Sequence, residues 1–137
     1  MDTETKPKTY DIPIANITAI VLIWYSITVV VSRLVTMVIS PGIGVVSGFY
    51  HYHHILYGLV LMSLGGFFGL YWETKRAKMF GSWFLGLGLG LSIDEVGLIL
   101  LAGTSIDGYF DPISYPIMIL VAQILFIAYM AARQQGR

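Results

Sequence analysis

Cysteine is absent from this 137-residue sequence. The chain therefore has no disulfides, no thiolate metal ligands, no iron–sulfur ligands and no cysteine nucleophile. Charge is also scarce, since Asp, Glu, Lys and Arg make up only 12% of the residues, about half their usual share in a globular protein. Eight basic residues balance eight acidic ones, so the chain lacks the basic surplus expected of a nucleic-acid partner.

Apolar residues dominate instead. They form 56% of the chain, and the mean hydropathy is +0.75. A helix that crosses the hydrocarbon of a membrane needs about 20 mostly apolar residues. Four stretches meet this length, at about 13–39, 50–72, 79–103 and 112–132. Because short polar or glycine-bearing segments join them, the sequence predicts an all-α fold, an antiparallel bundle of four transmembrane helices in a single integral membrane domain, 1–137.

The basic residues predict the orientation. Seven of the eight fall on one side of the predicted membrane, namely Lys6, Lys8, Lys75, Arg76, Lys78, Arg133 and Arg137. The two connections on the other side contain no Lys or Arg. Basic residues are enriched in cytoplasmic loops. We therefore expect a protein of the cell membrane with both termini in the cytoplasm.

Glycines recur at helical spacing on two of the predicted spans. They are Gly58, Gly65 and Gly69 on the second span, and Gly86, Gly90 and Gly97 on the third. Membrane helices associate through close packing of such small residues. The simplest arrangement packs these two stripes together and directs His54 and Asp94 into the bundle. The alternative is that glycine is merely frequent in membrane helices.

Three charged residues, Arg33, Asp94 and Glu95, lie inside the predicted spans. At about 1.5 Å per residue, Arg33 lies about 9 Å and Asp94 about 14 Å below the outer membrane boundary. Helical side chains tilt toward the N-terminus, so Arg33 is expected to reach down to one of the acids as their charge partner. The two acids lie about 100° apart around the helix and must face different neighbours.

Three interpretations of this polar region stay open. The first is a metal or ion site of His51, His54, Asp94 and Glu95, because imidazole and carboxylate ligands suit a divalent metal ion, which would be the cofactor. The second is a proton or cation relay through the acids and a histidine. The third is structural, with Arg33 paired to one acid and the histidines at a wet interface.

Two segments, "HHILYG" and "GLGLGLSIDEVGLIL", resemble a signature of small multispanning prokaryotic integral membrane proteins of uncharacterised function. That signature combines His-His-x-x-x-Gly with Leu-x-x-Asp-Glu and a later Tyr and Ser. The matching positions are His53, His54, Gly58, Leu91, Asp94, Glu95, Tyr109 and Ser114. The resemblance covers roughly residues 50–120 and brings no reaction with it. It implies that the histidines and acids belong to one site.

The functional expectation is a small polytopic membrane protein whose ionisable site, in the outer half of the membrane, binds a cation or metal or relays protons. One alternative is a non-catalytic accessory or structural subunit of a membrane complex. Another is a membrane enzyme acting on lipid or quinone, which is less favoured because four spans leave little chain for a catalytic domain. The expected partners are the lipid bilayer and either further copies of the chain or a larger membrane complex.

Overall fold

The computed structural model describes residues 12–39, 54–100, 112 and 114–135, with only the helical backbone at 39 and 97–100. These residues form four α-helices and no strand. The helices are α1 (Ile14–Ile39), α2 (His54–Tyr71), α3 (Lys75–Leu100) and α4 (Ser114–Gln135). The prediction of an all-α, four-helix bundle is confirmed.

The contacts show that neighbouring helices run in opposite directions along the chain. On α2 and α3, Gly58 lies against Gly88 and Gly65 lies against Gly81, so the two helices are antiparallel. On α1 and α3 the residue numbers rise together, because Gly86 contacts Val21 and Gly90 contacts Thr28. α4 runs against α1. At one end of the bundle, α2 and α4 begin beside the C-terminal parts of α1 and α3. This end contains Arg33, His54, Asp94 and Glu95, the charge cluster, and is called the cluster end.

Three helices, α1, α2 and α4, are long and apolar enough to cross a membrane. They expose large hydrophobic side chains such as Val38, Leu70 and Ile127. α3 has 26 residues and is about 39 Å long, which also suffices to span the hydrocarbon. It carries more charge than the others, but it packs against all three of them. α3 therefore lies at the centre of the bundle, and none of its residues from Gly81 to Val96 is exposed.

α3 begins four residues earlier than the predicted start at Met79. Thr74 caps it, because its hydroxyl Oγ1 accepts a hydrogen bond from the Ala77 amide at 3.3 Å and its carbonyl accepts one from the Lys78 amide at 3.1 Å. Threonine is a favoured helix N-cap, and lysine and arginine are good helix formers. The basic segment predicted as a connection between spans therefore forms the first turn of α3.

Candidate functional site

A buried ion pair joins α1 to α3 near the cluster end. Arg33 Nε donates to Asp94 Oδ1 at 2.7 Å, and Arg33 Nη2 donates to the backbone carbonyl of Asp94 at 3.1 Å. Arg33 is 7% exposed and Asp94 is 0% exposed. An ion pair so far from water needs close geometry and further hydrogen bonds to offset its desolvation, and the Nη2 contact supplies one of them.

The register of α1 against α3 places these two residues at one level. Trp24 lies against Gly86, Thr28 lies against Gly90, and Arg33 pairs with Asp94; the two members of each pair are 61 or 62 residues apart in sequence. The Arg33 side chain therefore does not have to extend deeper into the membrane to meet Asp94, contrary to the expectation from the sequence. Close packing at the glycines positions α1 on α3, and this sets the level of the arginine.

Gly86 and Gly90 differ from the expectation that the third-span stripe faces the second span. A Cβ on Gly86 would lie 2.7 Å from the Val21 carbonyl of α1, and one on Gly90 would lie 2.6 Å from Thr28 Cβ. Asp94 continues this face toward Arg33. These residues therefore face α1, not α2, and the absence of side chains at the two glycines lets the α1 backbone, Trp24 Cβ and the Thr28 side chain approach α3 closely.

A second face of α3 packs on α2 through Gly81 and Gly88. These two glycines are not among the packing residues that the sequence predicts. A Cβ on Gly65 would lie 2.7 Å from the Gly81 carbonyl, and one on Gly88 would lie 2.5 Å from the Gly58 carbonyl. The signal in the sequence is the alternation of glycine at 86, 88 and 90, since residues two apart point about 200° apart on a helix. Alternate glycines therefore serve two neighbouring helices.

The remaining two predicted packing glycines have other surroundings. A Cβ on Gly69 would meet no atom within 4 Å, although the Gly69 backbone itself lies near Gly81. Gly97 is part of α3, but its environment lies outside the described part of the chain. The close α2–α3 contact therefore rests on Gly58 and Gly65 rather than on all three glycines of the second span.

Glu95, about 100° around the helix from Asp94, is directed toward α2. Its Oε2 accepts a hydrogen bond from the Ile55 amide at 2.9 Å, and the residue is 5% exposed. Ile55 lies in the first turn of α2, where backbone amides lack helical acceptors and the helix dipole favours an anion. Glu95 therefore stabilises the start of α2.

His54 is the first residue of α2 and directly precedes the amide that Glu95 binds. Its ring nitrogen Nδ1 is buried and has no hydrogen-bond partner among the residues that the structure describes. A buried imidazole nitrogen without a partner is unfavourable. His54 and Glu95 thus bring a histidine and a carboxylate to the same helix start.

α4 packs against the charge cluster at its N-terminal end. The guanidinium carbon of Arg33 lies 5.4 Å from the centre of the Tyr115 ring, within the range of a cation–π interaction. Ser114, the first residue of α4, is 1% exposed. Tyr25, which is 2% exposed, donates its hydroxyl to the Met118 carbonyl at 2.8 Å. Tyr25 was not predicted, because a tyrosine in an apolar span has no sequence signal for a buried partner.

The four predicted metal or ion ligands have different surroundings. Asp94 is bonded to Arg33, Glu95 to the Ile55 amide, and His54 lies beside that amide. His51, like His53 and Tyr109, lies outside the described residues. Within the described ranges, no group of three or more histidine and acidic residues is arranged to hold a metal ion.

The comparisons with protein-family models, curated proteins and solved structures found no match to this chain.

Proposed function

We propose that this chain is a small polytopic protein of the cell membrane, with cytoplasmic termini, that handles a cation at the cluster end of its bundle. The residues of the site are His54, Asp94, Glu95 and Arg33, and the cation favoured by the geometry is a proton. The cluster end would face outward under the positive-inside rule. The single observation that carries the proposal is the buried Nδ1 of His54, which has no hydrogen-bond partner among the described residues and lies at the helix start bound by Glu95.

The charges of the cluster support a cation. Asp94 and Glu95 are both buried, and among the described residues Arg33 is the basic residue buried with them. Within this described set, one arginine and two ionised acids have a formal net charge of −1. Buried charge is strongly unfavourable unless it is compensated. A proton on Glu95 or on the imidazole of His54 would remove the surplus, and an imidazole changes its charge near neutral pH.

Engagement of Asp94 favours a proton over a divalent metal ion. A metal ion bound by both acids would compete with the 2.7 Å contact between Arg33 Nε and Asp94 Oδ1. Breaking a buried ion pair is strongly destabilising. A proton on Glu95 or on His54 needs no change at Asp94. The two adjacent acids then have separate tasks, Asp94 in joining α1 to α3 and Glu95 in handling the proton.

Reconstituted protein in liposomes tests the proposal. A pH-sensitive dye inside the vesicles should report proton movement after an imposed pH step. Glu95→Gln and His54→Gln should each abolish that signal, while Glu73→Gln, an exposed acid at the opposite end of the bundle, should leave it unchanged. Folded Glu95→Gln and His54→Gln variants that move protons like the wild type would refute the proposal.

A structural or accessory subunit is the second candidate, and the Arg33–Asp94 ion pair favours it. Such a pair, together with the Tyr25–Met118 hydrogen bond, holds α1, α3 and α4 in one arrangement. This candidate predicts no proton signal from the wild type, and co-purification with a larger membrane complex or with further copies of the chain. Absence of a larger species after purification in mild detergent, with a proton signal present, would exclude it.

We include in the first proposal the resemblance to small multispanning prokaryotic integral membrane proteins of uncharacterised function. Its signature implies one site made by histidine and the Asp-Glu pair. The hydrogen bond from the amide next to His54 to Glu95 supports that grouping.

A further inference from the structure

Three basic residues, Lys75, Arg76 and Lys78, lie at the end of the bundle opposite to the charge cluster. Thr74 is the N-cap of α3, so the three cations occupy the first turn and the start of the second. Lys75 and Arg76 are exposed, and Lys78 is partly exposed. No acidic residue lies in the first turn.

These positions are electrostatically unfavourable for the helix itself. The N-terminus of a helix carries partial positive charge, so acidic residues stabilise the first turn and basic residues destabilise it. Within residues 71–80 only Glu73 is acidic, and the segment has a formal net charge of +2. The stability of α3 alone therefore does not account for the basic residues, and a negatively charged partner would compensate them.

The aromatic residues next to the turn indicate where that partner lies. The Trp72 ring stacks on Phe68 with centroids 5.2 Å apart, and Tyr71 lies 4.7 Å from Phe67. Tyr71 and Trp72 are nevertheless 72% and 44% exposed. Tyrosine and tryptophan concentrate at the depth of the lipid headgroups, where one part of the ring is in apolar and another in polar surroundings. The basic residues follow directly in the sequence, so we expect them at the level of the phosphates.

We propose that Lys75, Arg76 and Lys78 form a docking surface for anionic phospholipid headgroups, with Trp72 setting its depth in the bilayer. Charge complementarity carries the recognition, because each basic residue near an anionic bilayer surface strengthens binding by roughly fivefold. The surface goes beyond the proposed cation site and does not depend on it, since His54 and Glu95 lie at the other end of the bundle.

Thermal unfolding in lipid nanodiscs tests this surface. The wild type is compared in phosphatidylcholine alone and in an equimolar mixture with phosphatidylglycerol. We expect a higher Tm in the mixture, and loss of that increase in the triple variant K75Q/R76Q/K78Q. In phosphatidylcholine alone, the triple variant should be at least as stable as the wild type, because cations are removed from the positive end of α3.

A matched pair of single variants separates a defined surface from general charge. Arg76→Gln and Arg133→Gln remove the same charge at the same end of the bundle, but Arg133 lies in the last turn of α4, where a cation is favourable. Arg76→Gln should reduce the lipid-dependent increase in Tm more than Arg133→Gln. Equal reductions would overturn the proposal, as would equal wild-type Tm values in the two lipids.

Two further measurements complete the test. Inorganic phosphate added to the protein in phosphatidylcholine should not reproduce the increase in Tm; if it does, the ligand is a free anion and the headgroup proposal is wrong.

Native mass spectrometry of the wild type, released from the mixed lipid, should show more phosphatidylglycerol than phosphatidylcholine retained, and less phosphatidylglycerol in high salt. Equal retention of the two lipids would refute the surface even if the triple variant fails to fold.

Discussion

At the scale of single residues, Asp94 and Glu95 are adjacent acids with different neighbours. Asp94 is bonded to the guanidinium of Arg33 on α1, and Glu95 to the Ile55 amide on α2. The separation of about 100° between successive helical residues directs them to two helices. Removal of either acid should therefore affect a different pair of helices.

Arg33→Leu should destabilise the bundle by about 3–5 kcal/mol, because it leaves the Asp94 carboxylate buried without its cation. The double variant Arg33→Leu/Asp94→Leu should recover part of that loss, since no buried charge remains at the pair. Unfolding in detergent, followed by circular dichroism, measures both. Arg133→Leu, an exposed arginine on α4, is the control. A double variant less stable than Arg33→Leu would contradict the assignment.

Tyr25→Phe should lower stability by about 1 kcal/mol, the usual net value of a buried hydrogen bond to a carbonyl. The variant removes only the hydroxyl that donates to Met118. Tyr57→Phe, at a tyrosine that is 52% exposed, should be close to neutral. The same unfolding measurement applies, and equal effects of the two substitutions would show that the Tyr25 hydroxyl contributes nothing.

Residue type, depth in the span and side-chain tilt together predicted Arg33 as the charge partner of the acids, because buried charge requires a counter-charge. The sequence did not predict which of the two acids would pair with Arg33, or that the guanidinium would also donate to a backbone carbonyl. Tyr25 and Ser114 could not be predicted at all. Their burial depends on where α4 crosses α1, and no spacing within either helix encodes that crossing.

At the scale of helices, α3 uses two glycine faces to approach two neighbours. The sequence predicted glycine packing, but paired the stripe of the third span with that of the second. Val21 and Thr28 of α1 instead pack against Gly86 and Gly90. A glycine stripe predicts close approach, but it does not specify whether the opposing helix supplies glycine or a larger residue.

Gly88→Ala should weaken the contact between α2 and α3, because the new Cβ would lie 2.5 Å from the Gly58 carbonyl and 2.7 Å from the Met62 amide. Gly66→Ala is the matched control on α2, where a Cβ meets no atom within 4 Å. That control should be neutral or stabilising by up to about 1 kcal/mol, since alanine is the better helix former. Thermal unfolding distinguishes them, and equal Tm changes would contradict the close contact.

At the scale of the whole molecule, composition and run length were sufficient to predict the helical bundle. α1, α2 and α4 were predictable as spans because each is apolar along its length. α3 is less apolar because it is surrounded by the others, and its first turn was mistaken for a connection because it is basic. The orientation in the membrane stays a prediction from the distribution of lysine and arginine.

Labelling of single cysteines tests whether all four helices cross. The chain has no cysteine, so Glu73→Cys and Gln134→Cys each introduce a unique thiol, after α2 and near the end of α4 respectively. With four crossings, a membrane-impermeant maleimide should reach both from the same side. If α3 did not cross, the two thiols would react from opposite sides of the membrane.

Arg33 meets residue 94 through two chemically different acceptors, a side-chain carboxylate and a main-chain carbonyl. The main-chain acceptor is present whatever amino acid occupies position 94. In an Asp94→Asn protein this carbonyl would still hold Arg33 at the same level of α3, although the loss of the buried counter-charge would destabilise the bundle. The main-chain contact therefore supports the register of α1 on α3, and the carboxylate supplies the charge that compensates the arginine.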